Sequence, residues 1–240
     1  MLLVPLIFFG QNKKNDTIHQ TQNIKFNYKS VIIPSAFISY GIIGIDNGAL
    51  KRFNYEIQED LLEQPHNEIK IDDVSQYVPS LAVYGLNALG IKGKNNFKDR
   101  TIILGTASLI MGSTVSGMKK ATSIERPDAS NKSSFPSGST AIAFMGAEFL
   151  FQEYKDVSVW YGITGYLVAT GTGFLRMHNN KHWFSDVVTG AGIGIVSTKI
   201  AYWIHPLVKR TLFKDKEEVS GIVMPFYTGK EYGLGLSMSF

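Results

Sequence analysis

The sequence predicts an all-α chain, a helical bundle followed by a short C-terminal β-hairpin. Three observations carry this reading. Uncharged stretches recur at 30–45, 74–91, 101–118, 157–175 and 187–198, each near the length of a membrane-crossing helix. The run TAIAFMGAEFLF (140–151) has helical apolar spacing. Only the tail, SGIVMPFYTGKEYGLGLSMSF (220–240), changes to a period of two.

Each part is justified in turn. Residues 1–20 open with the apolar run Leu2 to Phe9, too short to span a bilayer, and read as a short or truncated export signal. Residues 21–212 form the helical domain. Its uncharged stretches are rich in Gly, Ser, Thr and Tyr, and mean hydropathy is 0.00. They are either membrane helices packed through small residues or the buried helices of a soluble bundle. The segment 46–73 is polar, charged and broken at Pro65, so it reads as a surface connection with some helix. Residues 213–240 are a linker and the hairpin. In the hairpin Ile222, Met224 and Phe226, before the turn TGKE, form a set that matches Leu234, Leu236, Met238 and Phe240 in spacing.

Composition removes several function classes. The chain has 240 residues, 44% hydrophobic and 18% charged, with a net charge of +4. It is not a disordered chain. The mild excess of cations suits an anionic substrate or membrane surface. No basic stripe with interleaved aromatics is present, which argues against nucleic acid. With no cysteine, disulfides and thiolate metal sites are excluded. No Gly-x4-Gly-Lys-Ser/Thr loop exists, and GAGIGI (190–195) follows a helix start rather than a strand, so its glycines read as close helix packing.

Three short pieces carry chemistry. In KKATSIERPD, Lys119 and Arg126 are seven residues apart, which predicts one helix face, with Pro127 stopping the helix. Two cations on one face repel unless they share an anion, and Arg126 can fork two phosphate oxygens. Taken alone, the pair reads as an exposed basic face. Pro136-Ser137-Gly138-Ser139 leads into the 140–151 helix. Free N–H groups at a helix start beside a glycine suit an anion, although the stretch alone reads equally as an ordinary N-cap. In GFLRMHNNKHWFSD, Arg176 precedes His182 by six positions, and Asp186 lies four further on. A helix starting near Asn180 would put His182 and Asp186 on one side, with Asp186 orienting the imidazole. A lone pair at this spacing is also common helix pairing.

Together and in this order, the pieces resemble the signature of the type 2 phosphatidic acid phosphatase (PAP2) superfamily, which includes bacterial acid phosphatases and vanadium haloperoxidases. The family pattern is Lys-x6-Arg-Pro, then Pro-Ser-Gly-His, then Ser-Arg-x5-His-x3-Asp. The match spans 119–186 directly and extends to about 100–205. The resemblance implies a helical bundle of the PAP2 type and a phosphatase; the long apolar stretches near the motif point to a phosphorylated lipid or isoprenoid as substrate, and a diphosphate is the one that would suffer least from the loss of a general acid. The resemblance also implies a membrane or periplasmic location in a bacterial envelope, and no metal or other cofactor. It implies that His182 is the nucleophile, forming a phosphohistidine, and that Asp186 orients it. Lys119, Arg126, Arg176, Ser137 and the Gly138 N–H would hold the phosphoryl oxygens.

The chain departs from the pattern twice. Leu175 stands where the family has a serine, at a modest cost. Ser139 stands where the family has the histidine that protonates the leaving group, and a serine cannot do that at neutral pH. His178, in the same loop as His182, is the candidate substitute. Besides a lipid phosphatase, the reading leaves open a soluble broad-specificity acid phosphatase and a catalytically impaired phosphate- or lipid-binding homologue.

Overall fold

The computed structural model describes residues 28–63 and 70–213, together with the backbone of 220–227 and 232–239. The predicted export signal at 1–20 lies outside the described residues. A 3-10 turn, Tyr28–Val31, leads into α1 (Ile32–Gly44), α2 (Gly48–Leu62), the single turn α3 (Asp72–Ser75), α4 (Val78–Ala88), α5 (Phe97–Thr122), α6 (Gly138–Tyr154), α7 (Val159–His178) and α8 (Phe184–Leu212). The bundle is all-α. Beyond it, Ser220–Tyr227 and Tyr232–Ser239 pair antiparallel, from Ser220 opposite Ser239 to Tyr227 opposite Tyr232.

Local chemistry sets the helix starts. Asn47 caps α2 by accepting from the N–H groups of Ala49 (3.0 Å) and Leu50 (3.1 Å). Asn96 caps α5 through the Asp99 N–H at 2.9 Å. Ser137 and Ser158 cap α6 and α7. Each side chain satisfies one or two of the four N–H groups that a helix leaves unpaired.

Helix α6 is the axis of the bundle, packed against α4, α5, α7 and α8. The core runs along it through Ala141, Met145 and Phe149, which meet Ile103, Val115 and Ile193. The glycines of α8 allow the close approach. A Cβ at Gly190 would fall 2.5 Å from the Ser137 carbonyl oxygen. At Gly194 it would collide with the Ala141 carbonyl oxygen and lie 2.7 Å from the Met145 nitrogen. On the other side, Gly192 lets the α1 backbone at Pro34 come within 2.5 Å of a Cβ position. Backbone contact on two faces leaves α8 little room to shift.

Of the described helices, α5 and α8 are long and apolar enough to cross a membrane. The count rises to three if the pair 28–44 and 48–62, bent by 99°, acts as one span. At 26 residues α5 is about 39 Å long. Its charges sit at its two ends, Lys98, Asp99 and Arg100 at one and Lys119 and Lys120 at the other. Arg100 and Lys119 are therefore roughly 28 Å apart along the axis, close to the ~30 Å hydrocarbon thickness of a bilayer. Large apolar side chains on α7 face outward at helical spacing: Trp160, Ile163, Leu167 and Phe174.

Two expectations need correction. Lys119 and Arg126 do not share a helix. α5 ends at Thr122, Ser123 adopts the left-handed conformation (φ 47°), and its N–H returns to the Lys119 carbonyl. The chain then folds over as the N–H groups of Arg126 and Ser134 bond to the carbonyls of Asn131 and Ile124. The segment 46–73 is also more than a surface connection, because α2 buries Asn54 and Gln58.

Gly194→Ala should destabilise the protein by about 1–3 kcal/mol through backbone overpacking. Gly112→Ala on α5, where nothing lies within 4 Å, should be neutral or stabilising by at most about 1 kcal/mol. Thermal unfolding of the two variants in detergent checks the contrast.

Candidate active site

The site forms where the start of α6, the start of α8 and the loop after α5 meet. Ser137 closes the first turn of α6: its Oγ lies 2.9 Å from Thr140 Oγ1 and accepts from the Thr140 N–H at 3.4 Å. The Ser137 N–H itself donates to the Asp186 carbonyl at 3.0 Å. This one bond fixes the α6 start against the α8 start. Gly138 and Ser139 begin α6, so their N–H groups belong to the unpaired first turn, where a helix attracts anions.

His182 precedes α8 rather than lying on it. The helix begins at Phe184, with Trp183 as its N-cap and Asp186 three positions into it. The expectation of a helix from Asn180 is thus corrected: Asn180 adopts φ 57°, which ends α7 in a reversal. The His–Asp contact survives because Asp186 reaches back over the helix start. His182 Nδ1 lies 3.4 Å from Asp186 Oδ2, and both residues are 1% exposed. The same oxygen accepts from Ser134 Oγ at 2.5 Å and from the Trp183 N–H at 3.0 Å. With Nδ1–H directed at the carboxylate, Nε2 keeps the ring's lone pair. Burial pushes the His182 pKa below its ordinary value, against the opposing pull of Asp186. The ring is therefore neutral, as a nucleophile must be.

Three cations gather around this pair. His182 feels the charges of Arg176 and Lys119. Arg126 feels those of Arg176 and Asp186, and burial together with Arg176 pushes its pKa down. Lys119 Nζ donates to the Ser133 carbonyl, which draws the 133–137 turn onto the end of α5. Arg176, at the end of α7, donates through Nη1 to Asp72 Oδ2 at 2.7 Å and to Asp73 Oδ1 at 3.4 Å. Like charges held this close to one buried imidazole are stabilised by an anion among them. Ser139 sits half-buried in the first turn of α6. His178 closes α7, its ring 6.3 Å from that of Phe174. A cavity of about 430 Å³ flanks the cradle, with Lys51, Tyr55, Glu125, Arg126 and Trp183 in its wall.

Sequence reasoning missed several partners. Ser134 is one, and nothing in SSFPSGS distinguishes it from Ser133. Asp72 is another: it is buried and binds both Arg176 and, at 3.1 Å, Asn179. It lies in the stretch IDD, which reads as solvated charge. Asn54 and Gln58 are also contacts of this site, reaching Ser185 and Asn180.

The family model of the PAP2 superfamily matches residues 100–210, the span from α5 to α8 that carries most of this site. That segment is a PAP2 domain. Among curated proteins the chain is similar to the lipid A 1-phosphatase of Porphyromonas gingivalis, 38% identical over 174 residues. The alignment covers 68% of this chain and 39% of that protein, so the chain spans about two fifths of its relative's length. Among solved structures it is similar to Aquifex aeolicus LpxE, with a TM-score of 0.49 and 24% identity, covering 62% of this chain and 94% of that one. It is also similar to the transmembrane PAP2-type phosphatidylglycerolphosphate phosphatase of Bacillus subtilis, with a TM-score of 0.43 and 17% identity, covering 78% and 98%.

Ser134→Ala removes a hydrogen bond to a buried carboxylate. It should cost about 1–3 kcal/mol of stability, read by chemical or thermal unfolding, whereas Ser133→Ala should change it by less than about 0.5 kcal/mol.

Proposed function

We propose that the chain is a phosphatase of an envelope membrane that hydrolyses a phosphorylated lipid through a phosphohistidine on His182. The observation that carries this is the buried, neutral His182 held by Asp186 amid Lys119, Arg126 and Arg176. Binding alone has no use for such an imidazole. The relative that acts on lipid A supports a lipid substrate. So do the two apolar helices. A second cavity of about 490 Å³, lined by Val74, Tyr77, Leu81, Met111, Ile142 and Met145, gives an apolar surface one turn beyond Ser139 on α6. The antiparallel pairing of 220–227 with 232–239 supports the finer reading of an appended C-terminal hairpin.

In this reaction His182 Nε2 attacks phosphorus, and the bond to the leaving oxygen breaks with its electron pair. Nδ1–H stays on the ring and faces Asp186, which stabilises the positive charge that develops. Lys119, Arg126, Arg176 and the N–H groups at the start of α6 hold the equatorial oxygens, where charge builds in the transition state. Water then attacks the phosphohistidine. The P–N bond breaks and its electron pair returns to Nε2.

Ser139 determines which substrate suits the site. An alkoxide leaving group needs a proton as it departs, and general acid catalysis is worth about 10²–10⁴-fold. Phosphate leaving from a diphosphate needs little. The chain should therefore favour a lipid or isoprenoid diphosphate over a lipid phosphate monoester. A second reading, a phosphate- or lipid-binding homologue with little turnover, rests on the same Ser139.

Phosphate release from an isoprenoid diphosphate and from a lipid phosphate monoester should be lost for both in His182→Ala. Ser139→His should raise the monoester rate, by up to about 10²–10⁴-fold, and the diphosphate rate much less. Equal gains on both would remove the leaving-group argument. Activity seen only in Ser139→His would favour the binding reading.

The lowered pKa of His182 gives a pH prediction. Activity requires the neutral ring, so it is present above the folded-state pKa and is lost as pH falls through it. Because burial places that value below the ordinary imidazole value of about 6.5, the acid limb of kcat/KM should fall below pH ~6.5. An acid limb at or above that value would show that His182 is solvated.

A further inference from the structure

We infer that Asn54 and Gln58, two buried amides on α2, are positioning residues that set the place of His182. This rests on His182 being the nucleophile. Both residues lie outside the segment that matches the PAP2 family model.

The two side chains project from one face of α2, four positions apart. Each grips one end of the loop that carries His182. Gln58 Nε2 donates to Asn180 Oδ1, at the left-handed residue where α7 reverses. Asn54 uses both of its polar atoms on one residue at the other end. Its Nδ2 donates to Ser185 Oγ at 2.9 Å, and its Oδ1 accepts from the Ser185 N–H at 3.2 Å. Asn180 and Ser185 bracket His182 by two and three residues. Ser185 adjoins Asp186, so the Asn54 contact also fixes the register of the carboxylate.

The chemistry favours positioning over simple docking. A buried amide that docks a helix is satisfied by any backbone group nearby. Here Asn54 leaves neither its donor nor its acceptor for its own surroundings, and both meet the residue next to Asp186. A misplacement of about 1 Å at a reacting group can cost about 10²-fold in rate. The loop between the two grips has other long-range ties, Lys181 Nζ to Asp128 at 3.1 Å and Trp183 Nε1 to the Glu125 carbonyl at 3.0 Å, and the two amides hold its ends. The family motif supplies the nucleophile, and a helix from outside it supplies the nucleophile's position.

The test uses the full chain in detergent, with the variants Asn54→Ala, Gln58→Ala and Asn54→Asp. The aspartate still accepts from both the Ser185 N–H and its hydroxyl, so it is the conservative rescue. In the alanine variants kcat should fall about 10- to 100-fold with KM nearly unchanged. The acid limb of the pH profile should move up towards the ordinary imidazole value as water reaches the ring. Asn54→Asp should recover most of kcat. A second readout needs no turnover: carbethoxylation of His182 by diethyl pyrocarbonate, located by peptide mass spectrometry. It should be slow in the parent and several-fold faster in both alanine variants. Unchanged kcat with a lowered melting temperature, or an unchanged labelling rate at His182, would overturn the proposal. If the parent itself released no phosphate, the proposed function would fail while the labelling rates still decided the positioning.

Discussion

A carboxylate taken out of water is expensive unless hydrogen bonds replace its hydration, and the arrangement of this site follows from how one oxygen of Asp186 is satisfied while the buried Oδ1 has no hydrogen-bond partner among the described residues. Its Oδ2 takes the Ser134 hydroxyl, the Trp183 N–H and the His182 ring. Its backbone carbonyl takes the Ser137 N–H. One residue thereby joins the turn before α6, the start of α8 and the His182 ring. Were the carboxylate displaced, that turn and the imidazole would lose their shared reference together. This coupling explains why the site is built from separate segments yet needs no long loop to assemble it.

The two ends of the bundle are polar for different reasons. At the end away from the site, Asp99 meets His205 and Lys209, and Glu153 meets Asn95 and Tyr202. These contacts pair acids with donors, although the buried Arg100 Nε and Nη1 beside them have no hydrogen-bond partner among the described residues. At the site end Arg176 is shared between Asp72 and Asp73, and Lys181 meets Asp128. Halfway along α6 a third polar group, Glu148 with Lys199 at 2.6 Å and Tyr166, sits among apolar helices. A charge pair at that depth is costly unless matched, and this one is matched on several sides. Where a phosphate would enter, Lys119, Arg126 and Arg176 lie close enough to feel one another's charge.

Much of the fold was legible because uncharged length is a strong signal. The stretches 101–118 and 187–198 grew into α5 and α8, and 157–175 became most of α7. The contact between His182 and Asp186 was legible as a spaced pair, since the two keep their relation across a helix boundary. The local geometry was not. A helix from Lys119 to Arg126 looked natural because no residue before Pro127 breaks one. Yet Ser123 turns left-handed, and the tie from Ser134 to Ile124 rewards the fold-over. Asn54, Gln58 and Asp72 were invisible for a different reason. Polar residues on a short charged helix look solvated, and only tertiary contact reveals that they are buried. The partners that position a reactive group come from anywhere in the chain, whereas the group itself lies in a motif.

Ser139 is the point at which the chain's chemistry departs from its architecture. The groups that the proposed reaction would use to receive a phosphoryl group lie together: the His182 imidazole, the Asp186 carboxylate, three cations and a helix start. The group that would help the other product leave is the one altered. Attack and departure are separate demands on a phosphoryl transfer, and they place charge on different atoms. A site that keeps the first and relaxes the second is still complementary to a transition state in which the leaving oxygen already carries its charge well. A diphosphate provides such an oxygen, because the departing phosphate spreads the charge over several atoms. On this view the serine selects among substrates by their leaving groups, while the cradle around His182 remains common to all of them.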